Sequence, residues 1–415
     1  MSYRHHLVVF SLLLVMLLSC STSVVISKSF TEITFSTDST TASLTTSGYS
    51  INNVLKIISY PKNLHIPPSN SNLTIAVIDS GINDSVISNF WTNSKEIPNN
   101  SIDDDHNGYV DDYYGFDFVT NKPVDFQSSS FSSHGTFIAN ILSQMTKNVS
   151  TINIMDIRVL NSENENSNFN SFVNALQYAL LFPSVKVIQF SIEFVNSFLS
   201  SYPKILHWIF TKAYLRHIAI VTVTGNDERQ QISDPGNWAE TIAVTSVDLI
   251  DNKWIKSIYA NNGSNIDVSV PGTDIQSLGS NGKTIEMSGT SFSAAFVGGA
   301  IALLDAEFPS RNMSIETIRN LLQSSAIQLN NCNQFGAGLL NVSNLLSLAN
   351  SSSYLDYKAI CPSTYIVPTT LGPEPISKNL DFSNFFISGL FVLLIFRKCK
   401  IRKLKRTLSF RNIIN

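Results

Sequence analysis

The chain has 415 residues, a formal net charge of −3, and is 43% hydrophobic and 14% charged. That length allows one large domain with appendages, and the apolar content excludes global disorder. The small negative charge gives no basis for nucleic-acid binding, so no nucleic acid is expected as a partner.

The N-terminus reads MSYRHHLVVFSLLLVMLLSCSTS. Arg4 and two histidines precede an apolar run from Leu7 to Leu18, and the small residues Ser19, Cys20 and Ser21 follow. This is the layout of a secretory signal peptide over residues 1–21, and the run is short for an ordinary membrane span. The alternative is a lipobox, because "LLSC" would then leave Cys20 lipidated. Residues 22–71 read as a short pro-segment or linker, Ser/Thr-rich and aperiodic at their start.

From Asn72 the pattern changes. The runs LTIAVID, INIMDIRVL, VKVIQFSI, IAIVTVTG, TIAVTSVD and IDVSVPG are rich in Val and Ile. They lack strict polar alternation, which predicts strands buried on both faces. Helical patterns lie between several of them, at Phe137–Met145 and Phe172–Phe182. Strand–helix alternation predicts an α/β fold over residues 72–349, a parallel β-sheet with helices on both faces. Ligand chemistry in such sheets sits at the carboxyl ends of strands. That rule selects Asp79, ending LTIAVID, and Asn226, just past IAIVTVTG.

A Ser/Pro/Thr-rich stalk over 350–379 leads to an apolar segment at 380–396 and a basic tail at 397–415. The twelve apolar residues Phe385–Phe396 fall short of a span, and extension to Leu380 takes in Asp381. The basic cluster behind them is what a stop-transfer segment with a cytoplasmic tail carries. The segment is therefore expected to anchor the chain in a membrane, with a surface tail or core helix as the alternative. Signal and tail together predict a secretory-pathway protein, secreted or single-pass, with its main domain luminal or extracellular. Of four cysteines, Cys20 lies in the signal and Cys399 in the tail. Only Cys332 and Cys361 would meet an oxidising compartment, so a single disulfide between them is expected.

Three segments carry the chemistry. "IAVIDSGI" puts the carboxylate Asp79 at a strand end, "SSHGTFIANIL" puts His134 at a helix start, and "GTSFSAAFVGG" puts Ser291 at another. Each alone has a bland reading: Asp79 as a turn residue, His134 as a surface or capping residue, Ser291 as an N-cap. Together, in the order Asp, His, Ser and with their flanking glycines, they resemble the subtilase family of serine proteases. The resemblance covers roughly Asn72 to Ala349 and implies a three-layer subtilisin-like fold hydrolysing peptide bonds of protein or peptide substrates. It implies Ser291 as nucleophile, His134 as general base and acid, Asp79 as the group orienting His134, and Asn226 as oxyanion donor. Ser191, Glu193 and Gly225 would line the substrate groove.

The acidic stretch "NNSIDDDHNGYVDDYYGFDF" offers Asp103, Asp105, Asn107, Tyr109, Asp111 and Asp112 as oxygen ligands for a structural Ca2+. Its first half fits an EF-hand loop; its second does not, because Tyr114 stands where the bidentate Glu belongs. Similar acidic loops follow the catalytic Asp in some subtilases, including those of parasitic protists. The alternative is a solvated acidic loop.

Several positions depart from the family pattern. Phe137 replaces a common second histidine, Phe292 and Ser293 replace Met and Ala, and Ala295 replaces proline. Glu193 stands where the family's Ser-x-Gly substrate strand has glycine, and residues 22–71 are few for a folding propeptide. A weak or inactive pseudoprotease serving as a surface binding ectodomain is therefore the competing reading. An α/β-hydrolase or GDSL-type esterase is disfavoured, because no G-x-S-x-G surrounds Ser291.

Overall fold

The computed structural model describes residues 48–67, 72–125, 133–161, 169–194, 203–361 and 369–374. The expected signal peptide, most of the expected linker, the expected anchor segment and basic tail, with Cys20 and Cys399, lie outside the described residues. No helix among the described residues is long and apolar enough to cross a membrane.

The chain opens with β1 (Tyr49–Ser50), α1 (Ile51–Ile57), β2 (Leu73–Asp79), β3 (Gly115–Asp117), β4 (Lys122–Pro123) and α2 (Ser133–Thr146). Next come β5 (Ile152–Arg158), α3 (Phe169–Ala179), β6 (Val185–Gln189), α4 (Pro203–Leu215), β7 (Ala219–Val223), β8 (Thr241–Ile250), β9 (Lys253–Lys256) and β10 (Val268–Pro271). It closes with β11 (Ile275–Leu278), β12 (Thr284–Met287), α5 (Thr290–Glu307), α6 (Ile315–Ser325), β13 (Ile327–Gln328), α7 (Cys332–Phe335), β14 (Gly338–Leu339) and α8 (Val342–Asn350). The main sheet runs β13-β14-β10-β8-β7-β6-β2-β5-β3-β4, with β9 also on β8. The pairings from β14 to β3 are all parallel, and the antiparallel pairs sit at the periphery. Strands β1, β11 and β12 form a separate small sheet.

Period-2 alternation splits β2 between two cores. Ile75 and Val77 pack with Val54, Ile138, Phe296, Leu321 and Leu345 from α1, α2, α5, α6 and α8. Ala76 and Ile78 face the other way, against Leu176 of α3 and Ile209 of α4. The result is the three-layer α/β arrangement expected of strands without polar alternation. β2 lies between β5 and β6, so consecutive connections leave it in opposite directions. Such a switch point opens a crevice at the carboxyl end of the sheet, where Asp79 ends β2. α5 is buried on nearly every side and runs through the first core.

The packed domain extends beyond the boundaries expected at Asn72 and Ala349. β1 pairs in parallel with β11, and Ile51, Val54 and Ile58 are buried in the first core. Ser50 caps α1 by accepting from Asn53 N at 3.2 Å. These elements are too short to show a period in sequence, and Ser/Thr-rich composition hides them. At the other end Cys361 is buried, and the Arg311 guanidinium lies 4.1 Å over the Tyr354 ring. The first residues of the expected stalk therefore belong to the domain.

Cys332 and Cys361 are bonded, with Cα atoms 5.7 Å apart and a sequence separation of 29. In the chain-entropy description a loop of that size is worth about 3–4 kcal/mol. Reduction is expected to lower the denaturant midpoint accordingly, and non-reducing peptide mapping should recover the linked pair. Recovery of both as free thiols overturns the expectation.

Candidate active site

Asp79 is buried at the end of β2 and is held on two sides. Its Oδ1 accepts from Ser80 N at 2.8 Å and from Ser80 Oγ at 3.1 Å. His134, the second residue of α2, donates from Nδ1 to Asp79 Oδ1 at 2.8 Å, with Oδ2 at 3.1 Å. The helix start is knitted to the strand end by two further bonds. Gly135 N donates to Ser80 Oγ at 3.1 Å, and Asn83 N donates to Thr136 Oγ1 at 3.0 Å. Gly135 is needed for this approach: a Cβ there would stand 2.5 Å from Gly81 O. Burial pushes the His134 pKa down, but the Asp79 charge and hydrogen bond outweigh it and hold the imidazole above its ordinary value.

Ser291 lies inside the first turn of α5, after Thr290, so it is not the N-cap. The N-cap is Gly289, which has no side chain to satisfy the helix amides. Asn226, from the loop after β7, does this instead. Its Oδ1 accepts from Thr290 N at 2.9 Å and from Thr290 Oγ1 at 3.0 Å. Those two donors fix which end of the amide is oxygen, and turn Nδ2 toward Gly289, 3.8 Å from where a Cβ would sit. The Phe292 ring is 5.6 Å from the His134 ring and 4.5 Å from Phe137, so the α2 and α5 starts face each other. Phe137 and Phe292, two of the departures from the family pattern, thus pack on one another.

A model of the subtilase family matches residues 70–341. The chain belongs to the subtilase family. It is 26% identical over 223 residues to subtilisin DY of Bacillus licheniformis, covering 51% of this chain and 76% of that one. It is 25% identical over 282 residues to subtilisin E of Bacillus subtilis (strain 168), covering 66% of this chain and 65%, just under two thirds, of that one. It is 33% identical over 126 residues to subtilisin BL of Lederbergia lenta, covering 30% of this chain and 45% of that one. Among solved structures it resembles a lanthipeptide protease in fold, with a TM-score of 0.52 at 18% identity, covering 67% of this chain and 88% of that one.

This subtilase's expected groove residues lie together. β6 stops at Gln189, short of the run VKVIQFSI, and Ser191-Ile192-Glu193 continue outside it to a bridge between Phe194 and Asp234. Ser191 Oγ accepts from Gln189 Nε2 at 2.9 Å and lies 3.5 Å from Ser291 O. Gly225, with φ +101°, precedes Asn226. Sequence reasoning missed Asn261, which is buried and staples this loop. Its N donates to Gly225 O at 3.0 Å, and its Oδ1 accepts from Asp227 N at 3.1 Å and Arg229 N at 2.8 Å. It also missed Asp156, buried on β5. Asp156 Oδ2 accepts from Ile82 N at 3.0 Å and so holds the loop after Asp79, while burial pushes its carboxyl up to about 8.

The acidic loop is divided differently from expectation. The carboxylates that converge are Glu96, Asp105 and Asp112, with ligand atoms within 4.8 Å of one another. Glu96 was not in the expected set. Asp103 instead accepts from Asn107 N at 3.0 Å and Gly108 N at 2.8 Å. Asp111 accepts from Asn100 N at 3.0 Å and Ser101 N at 2.9 Å. The Asn107 amide oxygen accepts from Tyr109 N at 2.8 Å, and the Tyr109 ring packs 4.8 Å from both Phe116 and Tyr178. Alternating acids that look like ligands in sequence are here largely the loop's own turn formers.

Proposed function

We propose that this subtilase is a serine endopeptidase working through Asp79, His134 and Ser291. The observation that carries the reading is the buried Asp79–His134 pair beside the first turn of the helix bearing Ser291. With Nδ1 on Asp79, Nε2 is the nitrogen that would take the serine proton. Ser291 Oγ forms a bond to the peptide carbonyl carbon while its proton passes to His134. The C–N bond then breaks, and the leaving amine takes that proton. Water repeats the sequence on the acyl ester and frees the acid. Asn226 Nδ2 and the Ser291 amide supply donors for the developing oxyanion. The substrates are proteins or peptides. A fluorophosphonate probe on purified protein tests the reading, with Ser291→Ala as control. Absence of labelling in a folded sample favours a surface binding ectodomain instead.

We further propose a structural Ca2+ held by Glu96, Asp105 and Asp112. Glu96 is buried, its Oε1 accepts from Asp104 N at 2.9 Å, and its Oε2 has no partner. Hard anionic oxygens gathered this closely suit a hard cation. Binding to the folded state alone would add about 2.7 kcal/mol at a hundredfold excess over Kd. Melting in calcium should therefore exceed melting in chelator for the wild type, with the gap lost in Glu96→Gln. Identical melts of the wild type in both buffers sink the proposal. A secretory-pathway location, secreted or membrane-attached, is also proposed, on the N-terminal and C-terminal apolar runs of the sequence.

A further inference from the structure

We propose that Glu193 makes this site selective for a Lys or Arg side chain on the residue whose carbonyl is attacked. The proposal rests on the peptidase reading above. Glu193 follows Ser191-Ile192 past the end of β6 and is half-buried, so it does not simply extend into solvent. Its carboxylate turns inward: a Cβ on Gly225 would stand 2.8 Å from Glu193 Oε2. Gly225 immediately precedes Asn226, the oxyanion donor. A substrate carbonyl oxygen bonded to Asn226 Nδ2 therefore belongs to a residue whose side chain leaves beside Gly225 and Glu193.

The carboxylate is oriented before any substrate arrives. Ser233 bonds to Glu193, and Ser233 Oγ in turn accepts from Asn261 Nδ2 at 3.1 Å. Asn261 is the residue that staples the Gly225–Arg229 loop, so the acid and the oxyanion donor share one support. The nearby cation does not neutralise it. Arg229 Nη2 is engaged with Asp227 Oδ2 at 2.7 Å. With both carboxyls ionised, Glu193, Asp227 and Arg229 carry two negative charges against one positive, and burial, which pushes the Glu193 carboxyl up, makes a cationic partner there the more favourable. A cationic side chain entering there would satisfy the remaining charge, and a carboxylate would be repelled. Size acts in the same direction, because a bulky apolar side chain would have to displace or bury the carboxylate.

The competing role is purely structural, with Glu193 serving only as an acceptor for Ser233. The test is a series of peptide substrates differing at that residue (Lys, Arg, Leu, Phe, Glu), assayed with wild type, Glu193→Gln and Glu193→Gly in the full chain. Wild type is expected to favour Lys and Arg over Leu by about tenfold in kcat/KM. Glu193→Gln keeps an acceptor for Ser233 yet should flatten that preference. Glu193→Gly should accept Leu and Phe faster than wild type does. Equal rates for Lys and Leu in the wild type, or a preference unchanged in Glu193→Gln, overturn the proposal. Fluorophosphonate labelling of Ser291 is run alongside. Labelling and cleavage without a basic preference remove this inference alone. Failure of both labelling and cleavage in folded protein removes the peptidase reading and this inference with it.

Discussion

Ser291→Ala is expected to abolish fluorophosphonate labelling and to lower kcat by about 10⁶-fold, the loss subtilisin itself shows when its nucleophile is removed. The size follows from the division of labour. His134 has no proton to accept once the hydroxyl is gone, and no acyl-enzyme can form. What survives is binding and oxyanion stabilisation, which Asn226 still provides. Neighbouring Ser293 cannot substitute, because its hydroxyl is committed to Val270 O at 2.9 Å. The label should therefore map to Ser291 and not to Ser293. A pH profile checks the partner. The general base must be neutral, and Asp79 holds the His134 pKa above its ordinary value, so kcat/KM should fall as pH drops through that raised pKa. Asp79→Asn removes the charge that raises it, and the acid limb should move to lower pH while the rate falls. Labelling of Ser291→Ala at the wild-type rate, or an acid limb that ignores Asp79→Asn, would falsify the assignment.

The sheet, the strand end and the two helix starts of the candidate site are legible because they rest on local signals. β2 is one apolar run ending in Asp79, α2 is long enough to show its period, and α5 is a long run of small and apolar residues. What the sequence hid is contact between distant segments. Nothing near Asn261 marks it as the brace of a loop more than thirty residues earlier; that relation exists only once β7 and β8 pair. Glu96 is invisible for the same reason, since it precedes the acidic cluster and joins it through the fold of the loop. The Ser291 puzzle was likewise three-dimensional. A serine after glycine at a helix start reads as a cap, but here the cap comes from Asn226 across the site, which leaves the serine unburdened by that role. α1 was missed because seven residues in a Ser/Thr-rich context are too few to show periodicity.

Asn226→Ala should cost about 10²–10³ in kcat with little change in KM, the magnitude known for the matching donor in subtilisin. The side chain has two ends with separable tasks. Oδ1 accepts from Thr290 N and Thr290 Oγ1 and so caps α5 in place of the absent Gly289 side chain. Nδ2 points toward Gly289 and is, in the proposed mechanism, the donor to the reacting carbonyl. Alanine removes both, and loss of the cap alone should lower stability by about 1 kcal/mol. Asn226→Asp separates them. An aspartate keeps an acceptor for Thr290 and should melt close to wild type, yet it replaces the donor with a negative oxygen facing the oxyanion. Its kcat should fall at least as far as that of the alanine variant. Because ground-state binding does not use this bond strongly, KM stays near the wild-type value in both. If Asn226→Asp retains kcat within a few-fold of wild type while folding normally, Nδ2 does not serve the transition state, and Asn226 is only the cap of the helix that carries Ser291.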